Sequence, residues 1–316
     1  MIDRAPTLRN IRAFYFRDAL TAPPGATHLH RKGLATGQRL FSTADLRRHL
    51  DNPFLDLDYV TLFLQGKPVD LSEARIYKVV QRRKLAFSNR SVLDRYLGEG
   101  AACVLEGLDI LDADVNAFAS VLDRARSATF CNATAFYSQR GNEAYRGHVD
   151  TDDVLVIHVE GRKRWRLHAR QSPRRVELSD LDARRMGPVE NEVVMEPGDV
   201  LFLRSFTPHM VETLTQHSLH VSFDLCDRQP SVEAALSLLL RHFDRNAVLP
   251  HSPTSDTLAH LAELARSGPY ASELAELLAT EKSGHALFRR MLADNRVRHF
   301  DAVAREPASP GPTARK

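Results

Sequence analysis

Two histidines and one aspartate have the types and the spacing of a metal site. His148 and Asp150 are separated by a single residue, and His209 follows Pro208 much later in the chain. Side chains alternate between the two faces of a strand, so on a strand His148 and Asp150 would point the same way. Two imidazoles and one carboxylate form the facial triad that holds iron(II) and leaves three coordination positions open. We therefore predict that His148, Asp150 and His209 bind a metal.

A turn and a strand precede His209 and must position it near the other two proposed ligands. Pro197, Gly198 and Asp199 form a turn signal, and residues 200–203 are a short apolar run. A turn, a strand and then a histidine after a proline predict a position at the rim of a small β-barrel.

Short β-rich segments, separated by glycine and proline turns, fill the middle of the chain. They are residues 101–105, 128–137, 154–159, 164–167, 192–195, 200–203 and 219–225, with one helix at 114–125. Many short strands with such turns are typical of a double-sheet jelly roll. We expect a mainly β fold with helical flanks.

The flanks of this β core have helical patterns. Residues 42–50 and 72–84 each begin with a serine, a common N-cap. After residue 231, leucines recur at helical spacing in four stretches. These patterns predict an N-terminal mixed α/β module at 1–99, the core at 100–228, a helical region at 229–305 and a disordered tail at 306–316.

Composition is consistent with an intracellular enzyme. The 316 residues are 43% hydrophobic, enough for a buried core. The three cysteines lack the Cys-x-x-Cys spacing and support neither a disulfide framework nor a zinc knuckle. The sequence has no apolar run long enough for a membrane span and no signal-peptide pattern at its start. We expect a cytoplasmic protein without a membrane partner.

The charge balance gives little indication of a polyanionic partner. The net charge is +3, with basic runs at 82–84 and 170–175. A run of charges is usually a solvated face, so we expect no nucleic-acid partner.

The segment from His148 to Trp165 resembles the core of the JmjC-type ribosomal oxygenases. These are cupin-like protein hydroxylases that use iron(II) and 2-oxoglutarate. The shared pattern is His-x-Asp, an acidic residue at Asp153, a hairpin glycine at Gly161, a basic residue at Lys163 and the tryptophan. The resemblance implies a double-stranded β-helix, the cupin-like jelly roll of JmjC domains.

The resemblance extends beyond that segment, over roughly residues 28–226. The block 198–209 keeps the family's interval before the last metal ligand, and residues 217–222 are similar to the segment after it. The helices that follow the barrel in the family mediate dimerisation, which implies a homodimer through 229–305. The winged-helix domain of the family has little room here.

The resemblance also implies roles for other side chains. Lys163 would bind the distal carboxylate of 2-oxoglutarate through charge-assisted hydrogen bonds. Strand alternation places its neighbours Arg162 and Arg164 on the opposite face. Thr134 and Ser138 occupy positions where the family has Asn or Tyr and a hydroxyl, and the chain departs from the usual Asn and Tyr at Thr134 and Phe136. Dioxygen would be the second cosubstrate, and the substrate a side chain of a protein or peptide, ribosomal proteins included.

Other polar and aromatic residues near the motif have less specific interpretations. We expect Trp165 to pack in the core, Asp152 to face the interior and Asp153 to make hydrogen bonds. His158 and His220 fit a core role as well as a role in the site.

Three alternative functions stay open from the residues. One is a hydroxylase of a free amino acid or biosynthetic small molecule. Another is a cupin metalloenzyme without 2-oxoglutarate, which would leave Lys163 with no dicarboxylate to bind. The last is a non-catalytic binding module, against which the intact triad argues.

Overall fold

The structure is a computed structural model that describes residues 5–23, 25–37, 40–123, 129–142, 144–145, 147–170 and 186–227, and the single positions or pairs 259, 262–263, 266, 270 and 272. The chain divides into two compact units, Met1–Cys226 and Asp227–Lys316. The predicted helical region 229–305 and tail 306–316 lie almost wholly outside the described residues. They stay predictions.

Strands dominate the described part of the first unit. They are β1 (His28–Arg31), β2 (Val60–Leu64), β3 (Lys67–Pro68), β4 (Arg75–Val80), β5 (Arg83–Ser88), β6 (Ala102–Leu105), β7 (Thr129–Gln139), β8 (Asp153–Glu160), β9 (Lys163–His168), β10 (Val189–Met195), β11 (Val200–Leu203), β12 (His209–Thr213) and β13 (His217–Asp227). The helices are α1 (Ala5–Ala13), α2 (Thr43–Leu50), α3 (Arg90–Gly98), α4 (Leu108–Leu111) and α5 (Ala113–Asp123). Among the described residues no helix is long and apolar enough to cross a membrane.

Two antiparallel sheets form the walls of the barrel. The larger has the strand order β1-β11-β8-β13-β7-β6-β2-β3, and the smaller has the order β10-β9-β12. Consecutive strands β8 and β9 belong to different sheets, as in a double-stranded β-helix. The predicted fold class, a mainly β jelly roll with helical flanks, is confirmed.

Alternation along β8 builds two separate cores. Val154 and Val156 face the smaller sheet, where they pack with Trp165 and Leu167 of β9. Leu155 and Ile157 point the other way, into the large core that the helices cover. Because successive side chains alternate, one strand supplies both layers.

The N-terminal region agrees only partly with its sequence pattern. Helix α2 begins after Ser42, whose Oγ accepts a hydrogen bond from the backbone N–H of Asp45 at 3.2 Å. The helix expected at 72–84 is wrong. A 3₁₀ turn at Ser72–Ala74 leads into the hairpin β4–β5 instead. Its alternating aromatic and β-branched residues favour strands over a helix.

Candidate metal and cosubstrate site

The first two proposed metal ligands precede β8 and do not lie on a regular strand. His148 forms an isolated bridge with His209, the first residue of β12. Each backbone N–H donates to the other residue's carbonyl, at 3.1 and 2.9 Å. The backbone carbonyl of Asp150 accepts from Phe206 N at 2.8 Å. The predicted strand at this position is therefore wrong, but the bridge brings the residues together.

His148, Asp150 and His209 form a compact cluster of ligand atoms. One ligand atom from each lies within 4.8 Å of the others. The two carboxylate oxygens of Asp150 lie 3.7 Å from the Nε2 atoms of the two histidines, and the two ring centroids are 4.1 Å apart. This set of two imidazole nitrogens and one carboxylate matches the donors that iron(II) takes in a facial triad.

The surroundings of His209 keep its ring neutral and fix the tautomer. Burial and the neighbouring His148 lower the pKa of His209 to about 4. Its Nδ1 lies 3.0 Å from the carbonyl oxygen of Thr207. A carbonyl only accepts, so Nδ1–H donates and Nε2 keeps the lone pair that faces Asp150 and His148.

Two aspartates hold the loops that carry these ligands. Asp153 accepts a hydrogen bond from Ser205 N at 2.8 Å and pairs with Arg204, which confirms that it makes hydrogen bonds. Asp199 accepts from Gly33 N at 2.8 Å and from Glu196 N at 3.0 Å, closing the predicted turn.

A glycine turn between β8 and β9 positions Lys163. Gly161 has φ +70°, and a Cβ there would lie 2.1 Å from the carbonyl oxygen of His217. Only glycine fits this turn. Two residues later Lys163 points inward and is 2% exposed, whereas Arg164 on the opposite face pairs with Glu192 and Glu212. The predicted alternation is confirmed.

Described residues provide three acceptors around the ammonium group of Lys163. Its Nζ lies 3.3 Å from the carbonyl oxygen of Phe136, 3.3 Å from Ser138 Oγ and 2.9 Å from His220 Nδ1. An ammonium only donates, so Nδ1 of His220 is the acceptor. Burial and Lys163 hold the pKa of His220 well below its usual range. The ring therefore stays neutral.

Sequence reasoning left the role of His220 undecided. The ring stacks on Phe136, with centroids 4.9 Å apart, and meets Trp165 edge to face at 5.4 Å. The alternation of buried polar side chains at Ser218, His220 and Ser222 is the signal that could have found it. His158, by contrast, forms a hydrogen bond from its Nε2 to the carbonyl oxygen of Gly161 at 3.0 Å and so stabilises the turn.

A cavity of about 600 Å³ connects the metal ligands with Lys163. Thr134 and Ser138 both line it, and Ser138 is the one that touches Lys163 through a hydrogen bond in the structure. Trp165 is 3% exposed and packs in the core as expected, and its ring also stacks on His209 at 5.5 Å. Tyr145, 39% exposed, stands at the cavity wall beside His148.

The part of the cavity away from Lys163 is acidic. Glu106, Asp109 and Asp224 line it together with Asp150. Burial and the charge of Asp150 raise the pKa of Asp224 to about 7. The cavity-lining residues of β7 extend from Ser138, beside Lys163, to Asn132. These two positions are six residues apart, or about 20 Å along the strand. The cavity therefore has a cationic end and an acidic end.

The fold and this cluster define a double-stranded β-helix with a His-Asp-His centre. Residues 113–233 match the family model described as the JmjC domain. The chain is similar to ribosomal oxygenase 2 of Rattus norvegicus, with 30% identity over 92 residues, 28% of this chain and 20% of that protein. It is also similar to a bifunctional lysine-specific demethylase and histidyl-hydroxylase NO66 of Drosophila yakuba, with 31% identity over 112 residues, 34% of this chain and 16% of that protein. The chain thus spans a fifth or less of these relatives' lengths.

Solved structures of the ribosomal oxygenase YcfD from Escherichia coli share the fold. One matches with a TM-score of 0.54 at 16% identity and covers 85% of this chain and 71% of that chain. Another, described as a complex with cobalt and 2-oxoglutarate, matches with a TM-score of 0.51 at 15% identity over 79% of this chain and 66% of that chain.

Proposed function

We propose that this protein is an iron(II)- and 2-oxoglutarate-dependent dioxygenase that hydroxylates a side chain of a protein or peptide. The observation that carries the proposal is one cavity holding both the triad of His148, Asp150 and His209 and the buried cation Lys163. Iron(II) and 2-oxoglutarate would together activate dioxygen, releasing succinate and carbon dioxide and placing one oxygen atom on a carbon of the substrate. The names of the relatives support the same class.

The chain's own residues would prepare the centre before any cosubstrate arrives. The imidazole nitrogens of His148 and His209 and a carboxylate oxygen of Asp150 would hold the metal on one side. Lys163 would take the distal carboxylate of 2-oxoglutarate, with Ser138 and His220 orienting its ammonium group. Thr134 stands farther along the cavity wall, where it could contact the same molecule. The alternative functions that use no dicarboxylate, such as a cupin metalloenzyme without 2-oxoglutarate, give Lys163 no role.

A second cleft favours a peptide over a free amino acid. It has a volume of about 410 Å³ and shares Tyr145 and Val211 with the main cavity. Arg166 and Glu212 also line it. An extended peptide could place the reacting side chain in the main cavity and a neighbouring residue in this cleft. The acidic end would suit a reacting side chain that donates hydrogen bonds, and the relatives named for the ribosome suggest ribosomal proteins as substrates.

The metal assignment has a direct test. In Mn(II) titrations followed by electron paramagnetic resonance, His209→Ala and Asp150→Asn should lose most of the affinity, because each removes one of three ligands. His217→Ala, on a histidine whose side chain is 45% exposed, is the control. Unchanged affinity in both ligand variants would refute the triad.

Location and assembly complete the proposal. We propose the cytoplasm as the compartment, because the three cysteines lack the spacing of a disulfide framework. We also propose a homodimer through residues 229–305, which lie almost entirely outside the described residues. Light scattering on the full chain checks this, since a monomer at micromolar concentration would contradict it.

A further inference from the structure

The hairpin β4–β5 combines positive charge with exposed apolar side chains. Between Arg75 and Ser88 the sequence has five cationic residues and no carboxylate. Arg75, at the base, pairs with Asp56 and Asp58 outside the hairpin, so the proposal rests on the other four cations. Four large hydrophobic side chains here are exposed, from 38% at Leu85 to 70% at Val79. Nothing in the proposed hydroxylation uses this surface. A two-stranded ribbon with apolar groups on both faces gains stability from a partner.

The register assigns side chains to the two faces of the ribbon. Tyr77 and Val79 share one face with Lys84, whose Nζ lies 4.1 Å from the centroid of the Tyr77 ring. On the second face the aliphatic side chains of Ile76 and Leu85 lie beside the cations Lys78 and Arg83. Each face therefore pairs apolar area with at least one positive charge.

The tip of the ribbon is a two-residue turn that presents another cation. Gln81 and Arg82 have φ of +48° and +65°, the left-handed conformations of a tight hairpin turn. Both side chains are exposed. The base is attached to the fold, because Ser88 N donates to the carbonyl of Pro53 at 2.8 Å and Phe87 packs on Phe54 at 5.3 Å.

We propose that this hairpin binds single-stranded RNA. Phosphates would pair with the cations at the tip and on both faces, and a base would stack on Tyr77, 54% exposed. A membrane-inserting hairpin would carry its apolar groups at the tip, whereas here the tip is polar and cationic. An acidic peptide that binds one face of the ribbon would need the cations on that face alone. Here the cations lie on both faces and at the tip. Among single strands, RNA is the commoner form in cells.

The proposal differs from the expectation drawn from composition. A net charge of +3 spread evenly would not hold a polyanion. The hairpin instead concentrates its cations on a projecting element with an aromatic side chain, and local potential governs such binding.

The test uses the full chain and a labelled single-stranded RNA of about twenty nucleotides, longer than a typical site size. Fluorescence anisotropy should show binding that the triple substitution Arg82→Ala, Arg83→Ala, Lys84→Ala weakens at least tenfold. Each lost phosphate contact contributes about 0.7 to the slope of log affinity against log salt, so the slope should fall by about 2. Tyr77→Ala should weaken binding severalfold, and Tyr77→Phe should restore it.

A charge-matched control separates the hairpin from the overall charge. Lys32→Ala, Arg47→Ala and Lys67→Ala together remove three exposed cations that lie outside the hairpin and should leave the affinity within twofold. Equal loss in both triple variants would overturn the proposal, as would the absence of RNA binding. Polyglutamate and phosphatidylserine vesicles are tested in the same way. If either binds through the hairpin at least as tightly as RNA does, the partner is an acidic peptide or a membrane and the RNA proposal is wrong. Tighter binding to DNA of the same sequence would overturn the choice of RNA.

Discussion

Lys163 is the residue on which the cosubstrate assignment depends. It is a buried cation in a cavity that also contains the triad, and three acceptors fix its ammonium group. A buried cation of this kind suits a carboxylate better than a neutral ligand, because charge-assisted hydrogen bonds are strong where water is excluded.

Removing this cation should weaken 2-oxoglutarate binding. Lys163→Ala loses a charged hydrogen bond worth about 1.5–3 kcal/mol, so the concentration of 2-oxoglutarate for half-maximal activity should rise roughly ten- to a hundredfold. Lys163→Arg should partly restore it. An unchanged dependence in the alanine variant would place the carboxylate elsewhere.

His220 should act through Lys163 and not through the metal. His220→Leu leaves a buried donor unsatisfied, at a cost of about 1–3 kcal/mol, and should raise the Kd for 2-oxoglutarate about tenfold. His220→Asn places an acceptor near the original Nδ1 and should retain most of the affinity.

Calorimetry with the Mn(II) form measures this Kd, and Mn(II) affinity serves as the second readout. A role limited to packing predicts equal losses in His220→Leu and His220→Asn. That result, or a large change in Mn(II) affinity, would contradict the positioning role.

At the scale of elements, the turn between β8 and β9 joins the two sheets and sets the position of Lys163. Gly161 and Gly141 both have positive φ, +70° and +81°, but only a Cβ at Gly161 would clash. Gly141→Ala should cost about 1–2 kcal/mol of unfolding free energy from backbone conformation alone. Gly161→Ala adds steric conflict with the backbone and should cost more.

Urea unfolding of both glycine variants gives the comparison, and 2-oxoglutarate affinity gives a second one. The affinity should fall in Gly161→Ala and stay near the original in Gly141→Ala. Equal effects of the two substitutions on both measurements would show that the turn does not position Lys163.

The sequence predicts some elements better than others for physical reasons. The strands of the core are well predicted because buried apolar runs such as Val200–Leu203 lie between strong turn signals. The sequence of the hairpin β4–β5 wrongly predicts a helix, because a serine cap and a charged run outweigh its β-branched residues. The sequence predicts the cluster of His148, Asp150 and His209 although the first two are not on a strand, since a bridge to His209 supplies the same proximity. The contact of His220 with Lys163 depends on strand pairing, which a single sequence does not specify.

At the scale of the whole molecule, Asp224 links stability to pH. Its pKa in the folded protein is raised to about 7, above that of an unfolded aspartate. The folded state therefore holds a proton that the unfolded state has released, and the stability from this group falls as pH rises from about 4 through 7.

Replacing this carboxyl should remove the fall in unfolding free energy that Asp224 causes as pH rises. Asp224→Asn should stabilise the metal-free protein by about 2 kcal/mol more at pH 8 than at pH 5, after allowance for partial solvent screening. Urea unfolding in the presence of a chelator checks the value. The same stabilisation at both pH values would contradict the raised pKa.

The most direct test of the central claim is mass spectrometry of proteins from cells with the active chain and from cells with the His209→Ala variant. Hydroxylation predicts one or more peptides that carry a single additional oxygen atom on a side chain only when the active chain is present. The purified enzyme should form the same product from the unmodified peptide, with succinate released in equal amount. If 2-oxoglutarate turnover depends on a free amino acid and no peptide gains oxygen, the protein hydroxylase assignment is wrong.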